Sequence, residues 1–427
     1  MPSPNSLWLV TAPAESNSPQ DQLDDLNQAL GHGKLGAASA IEFPQFKTGT
    51  LSSLLTLSDQ LAKQDPTLTA ALQKTVDTIR SLTSPTAAPG SSANASTSDR
   101  SSPLSNHLVL DDGRPYLQYI FPPGAESGHV DEAERWTWNK AKFRTESRSL
   151  AEVVEAIMKE VTSIENAQRN KGQQYGVVKG QVTQALRKKT GNLSMRSLAD
   201  VVSASDFAGT NQSEYLETIL VAVPKNLVKD WEATYERLTQ MVVPRSSTKL
   251  AEDDEFVLFS TTLFRRVKDE FSQKAREKKF IVRDFTYDEE AIQKQKRELE
   301  ELVEEEKEMW ADLLRLSRIN FSELFQLSVH LKVVRAYVES VLRYGLPAAY
   351  FGAIVKPEPK QIPKLLSTLS SFLVPSHAQG AKSSKAKKAK DAGQDDAAAL
   401  GEFASVMEAE YLDFVLFEVE RVEVKGE

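Results

Sequence analysis

The sequence predicts an α+β protein, elongated, with two lobes joined by a long antiparallel helical neck. Three observations carry that expectation. After Ser149, the residues Leu150, Val154, Ile157, Val161 and Ile164 step by four, three, four and three. This heptad seam passes polar Gln168 and Lys171 and resumes at Tyr175, Val178 and Val182. A second seam has Ile292, Leu299 and Leu313 at one heptad position and Leu302, Met309 and Leu316 at the other. Between the two lie about 97 residues, 189–285, with strand and helix signals of their own.

Taken in order, LWLV (7–10) reads as a first strand, since it is short and has no basic stretch before it as a signal peptide would. Ser18-Pro19 supplies an N-cap and a proline at the first helical position, and Gly31 and Gly33 end that helix. Asp65-Pro66 repeats the device, and Leu68, Leu72, Val76, Ile79 and Leu82 then form one apolar stripe. The Ser, Thr, Ala and Pro-rich run 83–106 buries too little to offset ordering and reads as a disordered insertion.

Ser149 and Glu152 make a capping box for a helix of about 40 residues ending near Lys188, roughly 60 Å long. Thr286 and Glu289 repeat the box before KRELEELVEEEKEMWADLLRL (296–316), whose charges leave only a thin apolar seam. Each helix then covers only the other, which predicts an antiparallel hairpin with a small domain at its tip. In that domain ETILVAVP (217–224), EFVLFSTTLF (255–264) and FIVRDF read as strands, and 226–240 and VKDEFSQKAREKK as helices. SELFQLSVHLKVVRAYVESVLRYGLP is an apolar helix stopped by Gly345 and Pro347; INFS (319–322) offers a cap but no proline, so continuity there stays open. EYLDFVLFEVERVEV, with Phe414, Leu416 and Val419, is expected to return to the first sheet, so that both chain ends build one domain.

A chain of 427 residues exceeds one ordinary core, and with 40% hydrophobic and 26% charged residues and a net charge of −8 it has no bias toward nucleic acid. Cysteine is absent, which removes disulfides, thiolate metal sites and cysteine nucleophiles. No apolar run is long enough to span a membrane. The lysine-rich tract in 376–399 (Lys382, Lys385, Lys387, Lys388, Lys390) reads as a second solvated insertion.

Chemistry is hard to place. The five histidines share no metal-ligand spacing, and His330 on the apolar helix reads as a satisfied core residue. GHGKLG (31–36) has Gln28 and Leu35 where a phosphate loop needs glycine and a hydroxyl. The acidic run 252–255 lacks the spacing of a calcium loop, and Trp136 and Trp138 read as packing residues. No catalytic residue, cofactor or metal is expected.

Six stretches do carry a resemblance: FPQFKTGTL (43–51), WTWNKAKF (136–143), KKTGNLSMRSL (188–198), TILVAVPKNL (218–227), AREKKFIVRDFTY (275–287) and RAYVESVLRYGLP (335–347). Together they resemble the C subunit of the vacuolar-type proton-translocating ATPase (V-ATPase), from near the N-terminus to about Phe417. That resemblance implies a non-catalytic stator component of the soluble V1 sector of a rotary proton pump. It implies a foot made from both chain ends (1–146 and 320–427), neck helices at 147–188 and 286–319, and a head at 189–285. The head would grip a peripheral stalk built of the E and G subunits. The foot would meet a second such stalk and the cytosolic N-terminal region of the membrane-embedded a subunit. Reversible release from the pump is reported for the family, and actin binding is attributed to some members. The candidate head contacts are Lys188, Lys189, Arg196 and Lys225. On the foot, Arg335, Arg343 and Tyr344 are the side chains able to face a partner. A cytosolic coiled-coil adaptor between cytoskeleton and membranes is the alternative that the heptads and lysines would equally serve.

Overall fold

The computed structural model describes residues 2–3, 5–14, 19–31, 33–84, 104–125, 135–199, 201–203, 207, 213–285, 288–346, 349–373 and 414–422. Ser18, Thr286, the core of the 83–106 segment and the whole 376–399 segment lie outside them. Strand β1 (Ser6–Pro13), helix α1 (Pro19–Ala29), strand β2 (Gly36–Ile41) and helices α2 (Leu51–Thr83) and α3 (Leu150–Thr190) come first. Then follow β3 (Leu216–Pro224), α4 (Val228–Thr234), β4 (Thr248–Glu252), β5 (Phe256–Phe264), α5 (Lys268–Glu277) and β6 (Ile281–Arg283). The chain closes with α6 (Glu289–Tyr344), β7 (Tyr350–Pro357), α7 (Ile362–Leu373) and β8 (Val415–Glu420).

The chain divides into two compact units, 1–171 with 312–427, and 172–311. The first is built on an antiparallel sheet of order β2-β7-β1-β8. Alternation assigns its faces. Trp8, Val10 and Ala12 oppose Val355, Ala353 and Phe351, and all six pack under Leu23 and Leu26 of α1, Leu30 in the turn after it, and Leu365, Leu369 and Leu373 of α7. The other face meets α6, where the hydroxyls of Thr11 and Ser340 lie 2.6 Å apart. Gly352 on that face leaves no room for a side chain, because a Cβ would stand 2.6 Å from the Phe43 ring.

The second unit has the antiparallel order β4-β5-β3-β6. Ile219, Val221 and Val223 face the helix layer containing Trp231, Phe271 and Ala275, while Leu220, Ala222 and Leu258 face Leu193, Leu198, Val202 and Phe207. Strand β3 and its partner β5 each lead through a three-residue 3₁₀ turn into a short helix, and Val-Lys-Asp recurs at 228–230 and 267–269.

Four expectations change. Asp65-Pro66 does not open a helix: α2 starts at Leu51, capped by Thr50, whose hydroxyl accepts from the Ser53 N–H (3.3 Å) while Ser53 returns the bond. Pro66 sits mid-helix, so the Ala62 carbonyl loses its usual donor; Asp65 is buried for another reason, given below. The second box is also replaced. Asp288, directly before α6, accepts from the N–H groups of Glu290 (3.0 Å) and Ala291 (3.2 Å). The helix expected at 226–240 is broken into 3₁₀ and α segments around Trp231. Thr83 still belongs to α2 and Leu104–His107 forms a 3₁₀ turn, so both ends of the 83–106 segment are ordered. At Asn320 the helix is continuous, and the Ser149–Glu152 box caps α3 as expected, with the Ser149 N–H 2.7 Å from the Glu152 carboxylate.

Candidate interaction surfaces

In the first unit, Arg335 is committed internally. Its guanidinium lies 2.7 Å from Asp65 Oδ2, Lys332 Nζ lies 2.8 Å from Asp65 Oδ1, and the Arg335 guanidinium also sits 4.5 Å over the Phe417 ring. Asp65 and Lys332 are each 6% exposed, so one buried carboxylate holds α2 to α6, and Arg335 carries the tie on to β8. Tyr344 is likewise occupied. Its hydroxyl donates to the Thr11 carbonyl (3.2 Å) and accepts from the Val415 N–H (3.3 Å), joining the end of α6 to β1 and β8. Arg343 is exposed.

The polar break in the α3 seam is also filled: the Gln168 amide donates to Ser317 (2.7 Å) and accepts from Asn320 (2.6 Å). Ser317 and Asn320 are buried and Gln168 half-buried, and the three satisfy one another, which fixes register more than it stabilises.

His330 is 1% exposed among Trp136, Trp138 and Phe143. Nδ1 lies 2.7 Å from the Gln326 carbonyl and Nε2 accepts the Asn139 N–H at 3.3 Å, an arrangement that suits the neutral ring. Burial holds its pKa down to about 4, with Lys142 and Glu323 the nearby charges. Unfolded, the ring titrates near 6.5. Between those values the unfolded chain binds a proton the folded one does not, so the stability present above pH 6.5 falls with pH. By pH 5 the loss is about 2 kcal/mol. His330→Gln should flatten that part of the pH profile in urea unfolding; an unchanged slope would contradict the assignment.

In the second unit, Lys188 and Lys189 are exposed on the last turn of α3, where cations suit the helix dipole. The Lys188 carbonyl takes the Ser197 N–H, which sets Arg196 beside that helix end, half-buried. Arg283 crosses beneath and donates to the carbonyls of Ser194 and Arg196. Lys225 pairs with Glu252 at 2.9 Å. Glu252 also binds Lys249, and these two lysines hold its carboxyl near pKa 2.

The rest of the acidic run is a scaffold. Asp253 accepts backbone N–H groups from Leu193, Glu255 and Phe256, and Glu255 accepts from the Asn192 side chain. These bonds bring Lys188, Arg196 and Lys225 to one end of the second unit. Pairing to Glu252 was not readable from spacing, because Lys225 and Glu252 meet only through the sheet.

A groove of about 690 Å³ in the same unit escaped the sequence reading. It is lined by Arg237, Thr239, Met241, Arg266, Glu270 and Lys274, among others. Met241 has φ 70°, a conformation side chains rarely adopt, and is 46% exposed. Strand propensity and heptad counting carry no signal for such a turn. Among the described residues no group of three or more His, Cys, Asp or Glu could hold a metal ion, and no helix is long and apolar enough to cross a membrane.

Fold and surfaces together define an α+β protein of two sheet-bearing units with long helices, in which the singled-out charges tie elements together or lie open on the surface. The family model for the V-ATPase C subunit matches residues 7–415. The V-type proton ATPase C subunit of Caenorhabditis briggsae is 36% identical over 367 residues, covering 86% of both chains. The C 1 form from Xenopus laevis is 36% identical, covering 86% of this chain and 88% of that one, and the C 1 form from Mus musculus is 36% identical, covering 85% and 87%. The chain belongs to the V-ATPase C-subunit family. A solved cytoplasmic N-terminal domain of the V-ATPase I subunit, a homolog of the a subunit, aligns at TM-score 0.29 and 15% identity, too slight a likeness to bear on fold or partners.

Proposed function

We propose that this protein is a non-catalytic stator component of the soluble sector of the vacuolar-type proton pump, on the cytosolic face of endomembranes. It bridges peripheral stalks of the E and G subunits and the cytosolic region of the a subunit. Family membership along nearly the whole chain is the observation that supports this most. In this reading the second unit is a head and the first a foot, held apart by α3 and α6 as a neck. A stationary link in a rotary machine must resist drag, and a supported helix pair resists it along its axis. Several moderate contacts also allow controlled release, because avidity collapses when one is lost.

The internal bonds of half-buried Arg335 and Tyr344 support a structural role for both, and Arg343 is the exposed residue of the three. Lys188, Lys189 and Arg196 remain proposed stalk contacts, with Lys225 acting once it leaves Glu252.

Size-exclusion chromatography with in-line small-angle scattering tests the reading. The purified chain should scatter as an extended particle and co-elute with an isolated E/G heterodimer, without hydrolysing ATP alone. Separate elution, or robust turnover by the chain alone, would overturn the stator assignment; a near-spherical particle would remove the neck.

A further inference from the structure

We infer that the groove between residues 236–241 and α5 is the seat for an acidic amphipathic segment of the partner, and that Arg237 and Arg266 read its carboxylates. The inference rests on the stalk-binding reading above and names a different surface from the lysines at the end of α3.

Four features converge on it. First, the groove's own anions are already engaged. Glu236 accepts the Arg245 N–H (2.8 Å) and the Tyr235 hydroxyl (3.0 Å), and Glu270 pairs with Lys274 (2.7 Å). Second, Arg237 and Arg266 are exposed and form no ion pair with a described acidic side chain, in a chain where acidic residues outnumber basic ones by 60 to 52. Lys225, by contrast, is neutralised by Glu252. Third, an apolar contact stands beside the guanidinia: Arg266 reaches the Met241 sulfur at 3.5 Å, and the Met241 carbonyl holds the backbone of Phe264, itself 39% exposed. Fourth, Thr239 is one of the lining residues, is 6% exposed, and among the described residues its hydroxyl has no hydrogen-bond partner.

Arginine and methionine are the types enriched where proteins meet, and an unsatisfied buried hydroxyl is relieved by an incoming polar group. A cationic pair around an exposed thioether suits a segment carrying carboxylates on either side of one apolar side chain. An all-apolar partner would strand both guanidinia. The second guanidinium and the thioether distinguish this surface from a plain anion site.

The test measures affinity of the full chain for isolated E/G heterodimer, comparing the natural protein with R237E/R266E, the neutral R237Q/R266Q and M241A. Unfolding midpoints monitor folding throughout. We expect R237E/R266E to weaken binding at least tenfold, R237Q/R266Q less, and M241A several-fold, with unchanged midpoints and a smaller salt dependence in the charge variants. If the natural chain binds E/G and R237E/R266E stays within twofold of it, the groove is wrong while the stator reading stands. If the natural chain does not bind E/G, both fall together. Phosphatidylserine vesicles form the second arm: a loss confined to vesicle binding would make the groove a membrane contact and overturn the acidic-segment assignment.

Discussion

Asp65→Ala is expected to destabilise the first unit by about 3–5 kcal/mol, because it leaves Lys332 buried without its counter-ion. The loss arises less from the attraction removed than from the ammonium stranded at 6% exposure. Arg335 is partly exposed and can turn to water, so it contributes less. Asp65→Asn should behave nearly as badly, since an amide keeps the shape but not the charge. The decisive comparison is D65L/K332M, which removes both buried charges. Urea unfolding should find that double variant clearly more stable than the sum of the single losses predicts. Additive losses, or a D65A variant within 1 kcal/mol of the natural chain, would refute the account.

Trp231→Ala is the second large effect, about 3–5 kcal/mol in the unit 172–311. Trp231 is fully buried, stacks on Tyr235 at 5.6 Å, meets Phe280 edge-on at 5.2 Å and donates from Nε1 to Ser247 at 3.0 Å. Truncation opens a cavity among four aromatic rings and also leaves Ser247 without its donor. Trp231→Phe retains much of the volume and should cost about 1–2 kcal/mol, mainly the lost hydrogen bond. Hydrogen exchange at Val221 and Val257, buried in the sheet, provides the readout: W231A should raise exchange there, while W231F should barely change it. Equal protection in W231A would show that this core does not depend on the indole. Because the 236–241 wall of the groove hangs from Tyr235 and Leu238, W231A should also blur the geometry of Arg237.

The long periodic features were legible, and for a physical reason. A heptad seam repeats one requirement over dozens of residues, so Val154, Ile157, Val161 and Val182 announce α3 together, and all four are buried. Strands β3 and β5, buried on both faces, read as apolar runs. Strand β2, GAASAI, did not, because its small residues suit a strand tucked against α1 and only Ile41 is β-branched. Strand β4 is a polar edge, TKLAE, and edge strands have little to bury.

Asp65-Pro66 misled because the residue pair that opens helices can also sit inside one when a distant cation, 267 residues away, supplies the reason for the acid. Candidate surfaces suffered the same blindness. Exposure could be guessed for Lys188 and Lys189, but whether Arg335 or Lys225 had a partner depended on folding, and so did the turn that lifts Met241 into the groove.

Strand β1 has a consequence for biosynthesis. Both its neighbours, β7 and β8, are encoded beyond residue 349, so β1 lacks these partners until more than three hundred further residues are made. At about 5–20 residues per second that wait lasts tens of seconds. During it Leu7, Trp8, Leu9 and Val10 form an adhesive nascent segment, one that holdase chaperones are suited to shield until β7 and β8 emerge.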